Sequence, residues 1–415
     1  MRRAHEDRSD ALVTEDKPYL LAMNCGSSSI KFALYRAGVR PLRQLHGKVD
    51  RIGQADAMLS VRDDLHLRQE RPVDAPDLTA AATLLIDWLS KEVGLASIAA
   101  VGHRVVNGGA RYSQPQCVSE DLLDELRRIG RFASEHLPGE IALIELFRQR
   151  AAGLMQVVCF DTAFHRSMPR VAKTLPLPRR LQAEGVERRG FHGLSYSFLM
   201  QELERVAGVQ SSHGRVILAH LGNGASLAAV QGGTGIDTSM GFTPASGVPM
   251  GTRSGDLDPG LVLYLAQTEG MTAVQFDHMV NLQSGLLGVS QTSADLRDLL
   301  AAEAADARAA EAVAMFCYQV KKCIGAYAAA LGGLDTLVFA GGIGENAAEI
   351  RWRICAGLGF LGIHLDRARN QDNAPLISSD ASPAAVRVIR TDEESMIAEA
   401  VNQVLNCTAS TPTKA

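Results

Sequence analysis

Short apolar runs and stretches of helical period alternate along this chain. Residues 19–23 form an apolar run that predicts a buried strand, and residues 30–35 predict a second. Between them Asn24-Cys25-Gly26-Ser27-Ser28-Ser29 reads as a tight turn, giving a hairpin whose tip is rich in backbone N–H groups and hydroxyls. The pattern recurs downstream. Residues 215–219 are strand-like, His220-Leu221-Gly222-Asn223-Gly224-Ala225-Ser226 is a turn, and 227–230 are strand-like again. Two such hairpins predict an internal duplication, and so two related lobes with a cleft between them. Helical periodicity at 78–93, 122–132 and 140–148 alternates with strand-like segments at 98–106 and 156–160. Further on, 304–331 predicts a long Ala-rich helix, 336–339 a strand, 386–389 a late strand and 393–405 a closing helix. Alternating strands and helices predict an α/β fold.

Composition narrows the class of protein. The 415 residues are 46% hydrophobic and 21% charged, enough apolar material for a sizeable core or two domains. The formal net charge of −4 provides no global basic field, so neither nucleic acid nor a membrane surface is an expected partner. An anionic ligand must be held by local cations. No apolar run is long enough to cross a bilayer, and residues 1–17 read as a polar, flexible extension. The seven cysteines show no CxxC and no zinc spacing, which suits a reducing cytoplasmic compartment.

The candidate chemistry lies in three Gly-rich turns and a few charged residues beside glycines. Asn24–Ser29, His220–Ser226 and Gly341-Gly342-Ile343-Gly344-Glu345-Asn346 each follow an apolar strand. Glycine lets backbone N–H groups approach a phosphate closely. None of the three matches the P-loop or the dinucleotide-binding pattern. Lys31 follows the first turn within reach of a phosphate held there. Arg104 lies in Gly102-His103-Arg104-Val105-Val106-Asn107-Gly108-Gly109, and Arg253 in Gly251-Thr252-Arg253-Ser254-Gly255-Asp256. Arginine suits bidentate binding of carboxylate or phosphate. Asp161 ends a buried strand, where a side chain faces a ligand crevice. His192 is flanked by glycines in Gly190-Phe191-His192-Gly193.

These motifs, taken together, resemble the acetate kinase family. The resemblance rests on Asn24-Cys25-Gly26-Ser27-Ser28-Ser29-Ile30-Lys31-Phe32, Cys159-Phe160-Asp161-Thr162-Ala163-Phe164-His165 and Arg189-Gly190-Phe191-His192-Gly193. It also rests on the 220–226 turn, Asp237-Thr238-Ser239-Met240-Gly241-Phe242-Thr243-Pro244, the Arg253 motif, Ser284-Gly285-Leu286-Leu287-Gly288 and Gly342-Ile343-Gly344-Glu345-Asn346. The motifs run in family order from about Tyr19 to Leu405. The resemblance implies an α/β fold of two duplicated actin/sugar-kinase/Hsp70-like (ribonuclease H-like) lobes. It places 18–165 plus 395–415 in an N-terminal lobe with a returning helix, and 166–394 in a nucleotide-binding lobe. It implies reversible, direct in-line transfer of the ATP γ-phosphoryl group to acetate, giving acetyl phosphate and ADP, in a cytoplasmic homodimer.

The resemblance also implies roles. Asn24 and Glu393 hold Mg²⁺ (with Mn²⁺ as substitute), Glu394 being the adjacent competitor. Lys31 meets the ATP phosphates. Arg104 binds the carboxylate, Arg253 and His192 neutralise the transferring group, and Asp161 orients the acceptor. His220, Leu221, Gly222, Asn223 and Gly224, then Asp295, Leu296 and Arg297, and Gly342, Ile343, Gly344, Glu345 and Asn346 line the nucleotide site. Val106, Phe191 and Pro244 match a small apolar acyl pocket. Two anions must meet, so charge neutralisation and positioning dominate the chemistry. A carboxylate nucleophile is already ionised near neutral pH and needs no strong base.

The chain departs from the family pattern at Asn107, where His is common, at Glu135-His136-Leu137-Pro138 and at Ala245-Ser246-Gly247-Val248-Pro249. Glu135 falls where an apolar pocket wall is usual. A propionate or broader short-chain acyl kinase is the near alternative. A non-catalytic nucleotide switch of the same superfamily is the distant one, disfavoured by Arg104 and Arg253, since a switch needs no carboxylate clamp.

Overall fold

The computed structural model describes residues 17–26, 28–63, 66–130 and 136–409. The expectations for the extension up to residue 16, for Ser27, for Phe132 and Glu135, and for 410–415 lie outside the described residues. The chain forms two compact units. The first takes the described residues up to Ala163 and from Asp392 onward, and the second is Phe164–Thr391. The second crossing thus falls at 391/392 rather than 394/395, which moves Glu393 and Glu394 into the first unit. The cause is local. Asp392 accepts the Ser395 N–H at 3.0 Å at the head of helix Glu393–Ala409, so the helix and its cap stay together.

The first unit is built on an eight-stranded sheet, ordered β5-β4-β3-β2-β1-β6-β8-β7. Its strands are β1 Tyr19–Cys25, β2 Ser29–Arg36, β3 Leu42–Asp50, β4 Met58–Arg62, β5 Leu67–Pro72, β6 Ile98–Val105, β7 Gln116–Cys117 and β8 Met155–Phe160. β1 to β5 form an antiparallel meander, while β6 and β8 run parallel to β1. Helices Leu78–Glu92 and Leu137–Arg150 cover one face, with Phe32, Leu34, Leu85, Leu89 and Phe147 in the core. Helix Glu393–Ala409 packs on β1 and β6, and Gly102 makes room for it. A carbon added there would lie 2.5 Å from both Ile397 and Val401.

The second unit carries a five-stranded sheet, β11-β10-β9-β12-β13. Its strands are β9 Arg215–Leu221, β10 Ala225–Gln231, β11 Thr234–Thr238, β12 Thr336–Ala340 and β13 Ala385–Val388. Three antiparallel strands are followed by two parallel ones. This is the order of β3-β2-β1-β6-β8, so the repeat suggested by two hairpins extends to five strands in each unit. Both units are of the actin/sugar-kinase/Hsp70-like (ribonuclease H-like) α/β class.

The hairpin tips are tighter than the sequence suggests. Asn24 and Cys25 pair across from Lys31 and Ile30, and His220 and Leu221 from Ser226 and Ala225. Among the described residues only Gly26 and Ser28 at the first tip, and Gly222–Gly224 at the second, lie outside the pairing. The third Gly-rich turn is itself a short helix, Gly341–Asn346, followed by helix Ala348–Cys355. The long helix Ala307–Leu331 begins after its Asp306 cap, whose carboxylate accepts the Arg308 N–H. Among the described residues, no helix is long and apolar enough to cross a membrane.

Candidate active site

In the first unit the chemistry gathers where parallel strands end. β1, β6 and β8 are neighbours in register, so Asn24, Arg104 and Asp161 emerge at one sheet edge. This is the edge where open α/β sheets bind ligands. Asp161 is fully buried, and its Oδ2 accepts from Arg104 Nη2 at 2.8 Å. Burial opposes the charge on Arg104, but Asp161 and Glu393 outweigh it and hold the guanidinium firmly protonated. Arg104 Nη1 also lies 3.5 Å from Asn24 Oδ1. Val106, two residues on, is 4% exposed. Asn107 turns its Oδ1 to the Gly109 N–H at 2.9 Å, so this departure closes a local turn.

The Asn24 amide donates to Glu393 Oε2 at 2.8 Å and to Glu394 Oε1 at 3.0 Å. The two carboxylates offer hard oxygen donors suited to Mg²⁺, which uses one or two carboxylates and leaves its other positions to water and phosphate, while the Asn24 carbonyl is turned to Arg104 Nη1. Among the described residues, no cluster of three or more His, Cys, Asp or Glu side chains forms a fuller metal cage. Burial raises the Glu394 pKa, and its Glu393 neighbour adds to this against the pull of Lys31. Lys31 lines a pocket with Arg43, His46, Lys48, Arg62 and Glu394. The Cys25 thiol, pushed up to about 12 by burial, is a packing residue and no nucleophile.

In the second unit β9 and β12 end side by side, with Ala340 paired to His220. His192 caps helix Gly193–Ala207 in the left-handed region at φ 59°. Its Nδ1 is 2.8 Å from Ser226 Oγ, which also meets the Tyr196 hydroxyl. Ser195 Oγ lies 2.8 Å from His220 Nδ1 and 2.7 Å from the Thr391 hydroxyl. Gly224 faces both His192 and Arg253. A carbon added to it would lie 3.4 Å from His192 Nε2 and 3.5 Å from Arg253 Nη1. The Gly222–Gly224 turn is tied to the Arg253 motif by Gly251 N–H to Asn223 O at 3.2 Å. Gly251 itself leaves no space, since an added carbon would lie 2.4 Å from Asn223 Oδ1.

The remaining candidates differ in what they present. Leu221 and Leu296 are buried in the core, so their side chains do not face a ligand. Asp295 caps helix Leu296–Ala302 and pairs with the exposed Arg297. Glu345 Oε1 accepts from Gly341 N–H at 3.0 Å and Thr391 N–H at 3.1 Å, so it braces the loop. Gly342 and Asn346 are exposed and Ile343 is half-buried. Arg351, which the motifs do not mark, is wholly buried and donates to Gly344 O at 2.9 Å and Asn370 Oδ1 at 2.9 Å. Phe191 is buried, its carbonyl 2.9 Å from His165 Nε2, and Pro244 is half-buried in its loop. Glu140 was also missed. The sequence marked it only as the start of the helical stretch 140–148, yet its Oε2 accepts the Val106 N–H at 3.0 Å.

The chain matches the Acetokinase family over residues 19–399. It is 44% identical over 391 residues to a propionate kinase of Citrobacter rodentium, covering 93% of this chain and 96% of that one. It is 43% identical to an acetate kinase of Rhodopseudomonas palustris, covering 92% and 97%. The crystal structure of a propionate kinase from Francisella tularensis superposes with a TM-score of 0.85 at 35% identity, covering 92% and 98%. With the motifs in order and the fold shared over nearly its whole length, the chain belongs to the acetokinase family, phosphotransferases that use a carboxyl group as acceptor.

Proposed function

We propose that this enzyme reversibly transfers the γ-phosphoryl group of ATP to acetate, giving acetyl phosphate and ADP, with propionate as the competing acceptor. The observation that carries the reading is the buried Arg104–Asp161 pair beside Val106 at the sheet edge. A guanidinium with one face on Asp161 keeps its other donors for a carboxylate. We assign recognition of a short acyl tail to Val106 and, on the family resemblance, to Phe191 and Pro244.

The acceptor attacks as a carboxylate, so Asp161 orients Arg104 and takes no proton. In the second unit His192 and Arg253, converging on Gly224, are the donors we assign to the transferring phosphoryl group. The turn Gly222–Gly224 and the Gly341–Asn346 segment supply the nucleotide set, and Lys31 of the first unit the phosphate contact. Transfer is in line and direct, because positioning and charge neutralisation suffice. Asn24, Glu393 and Glu394 are the residues that would hold Mg²⁺ (or Mn²⁺). When bound, the ion neutralises phosphate charge.

We also propose a cytoplasmic homodimer. The seven cysteines, without a CxxC or a zinc spacing, support the compartment. The dimer is supported by helix Gly260–Glu269, which buries none of its residues and leaves Leu263 62% and Tyr264 59% exposed. Trapping the acyl phosphate with hydroxylamine, with acetate, propionate and butyrate compared at equal ATP and Mg²⁺, tests the activity. Higher kcat/KM for propionate would move the assignment to the propionate reading, which the relatedness to propionate kinases supports. No trapped product with any acid would remove it.

A further inference from the structure

We propose that Glu140 is a positioning residue of the acceptor site, fixing the Val106 wall from behind and setting, by its own charge, how strongly Arg104 holds a carboxylate. The inference rests on the reading that Arg104 binds the acceptor.

Glu140 sits in the first turn of helix Leu137–Arg150 and is 2% exposed. Oε2 accepts the Val106 N–H, while Oε1 is buried without a hydrogen-bond partner. Among the described residues no cation forms an ion pair with it. Ionised, it would be a desolvated anion with one hydrogen bond, a costly state. Burial therefore raises its pKa to about 8, against the opposing pull of Arg104 and the Val106 N–H. The proton belongs on Oε1, since Oε2 is already an acceptor.

The charged and titratable groups around it are few. Arg104 on β6 favours the ionised form and Asp161 beyond β8 disfavours it. His103 on β6 packs edge-on against Phe147 of the same helix as Glu140, and burial lowers its pKa to about 4, so it is neutral. The Cys25 thiol of β1 is also neutral. On the two flanking helices Glu125 is tied to Arg128, and Asp87 to Arg150. Near pH 7 Arg104 thus faces two anions, Asp161 and Glu393. Above the Glu140 pKa a further anion competes for Arg104, and an incoming carboxylate binds less well.

The sign follows from linkage. The protonated enzyme is the binding form, so the carboxylate KM rises with pH through about 8. If the ionised form does not bind, the rise between pH 7 and 9 is about tenfold. Glu140→Gln keeps an acceptor for the Val106 N–H and the shape of the side chain, and cannot ionise.

The experiment measures kcat and the acetate KM from pH 6.5 to 9.5 in wild type and Glu140→Gln. The expected result is an alkaline rise of KM in wild type, with kcat changing less, and a flat KM in Glu140→Gln that equals wild type at pH 7. The same alkaline rise in Glu140→Gln, or a flat wild-type profile, would overturn the role. A second measurement needs no variant. Saturating acetate added to wild type at pH 8 should take up a fraction of a proton, read with an indicator dye, and no uptake would also overturn it. A wild type without acetate-dependent turnover would instead overturn the underlying reading.

Discussion

His192 stacks on His220, with ring centroids 4.3 Å apart and planes 24° from parallel. Each ring meets a different serine through Nδ1, Ser226 for His192 and Ser195 for His220. His192 adopts a left-handed backbone, so its side chain depends on these contacts to stay in place. Ser226→Ala should lower kcat roughly tenfold, the worth of about one hydrogen bond, with a smaller change in the ATP KM. Steady-state kinetics at saturating acetate checks it, and unchanged kcat would free His192 from this support.

The two arginines should separate by what they leave behind. Arg253→Ala should lower kcat by roughly 10²–10³, as for loss of a preorganised electrostatic group. Arg104→Ala should also raise the carboxylate KM, and it strands the buried Asp161 carboxylate. Breaking such a pair costs about 3–5 kcal/mol of stability. Thermal melts alongside the kinetics check this, and the added change Asp161→Asn should restore part of the stability without restoring the KM.

The Asn24 amide already links Glu393 and Glu394. Glu393→Gln should raise the Mg²⁺ concentration needed for half-maximal rate while the melting temperature holds. A Mg²⁺ titration at fixed ATP is the measurement. An unshifted midpoint would transfer the role to Glu394.

Val106→Ala should widen the acyl pocket. Each buried methylene contributes about 0.8 kcal/mol, so kcat/KM for propionate relative to acetate should rise several-fold, mostly through KM. The N–H that Glu140 accepts belongs to the backbone and survives the substitution. An unchanged ratio with a lower melting temperature would make Val106 a core residue only.

The sequence by itself determined the strands flanking the Gly-rich turns, the long helix Ala307–Leu331 and the motif order, because buried strands and amphipathic helices write their period directly into residue type. It did not show the β3 to β5 meander. β3 buries only Leu45 and Val49 of nine residues, so its apolar signal is sparse. It named Arg104 and Asp161 separately, and only the parallel pairing of β6 with β8 made them one buried ion pair. His192, Gly224 and Arg253 likewise met only through the folded turn. Glu140 stayed hidden for the same reason. A glutamate in a helix's first turn reads as a solvated charge, and its distinctive state comes from burial against Val106, a contact 34 residues away along the chain. Period and residue type are local properties that a sequence records. Desolvation and long-range approach depend on the packed chain, and they decide the charge states at this site.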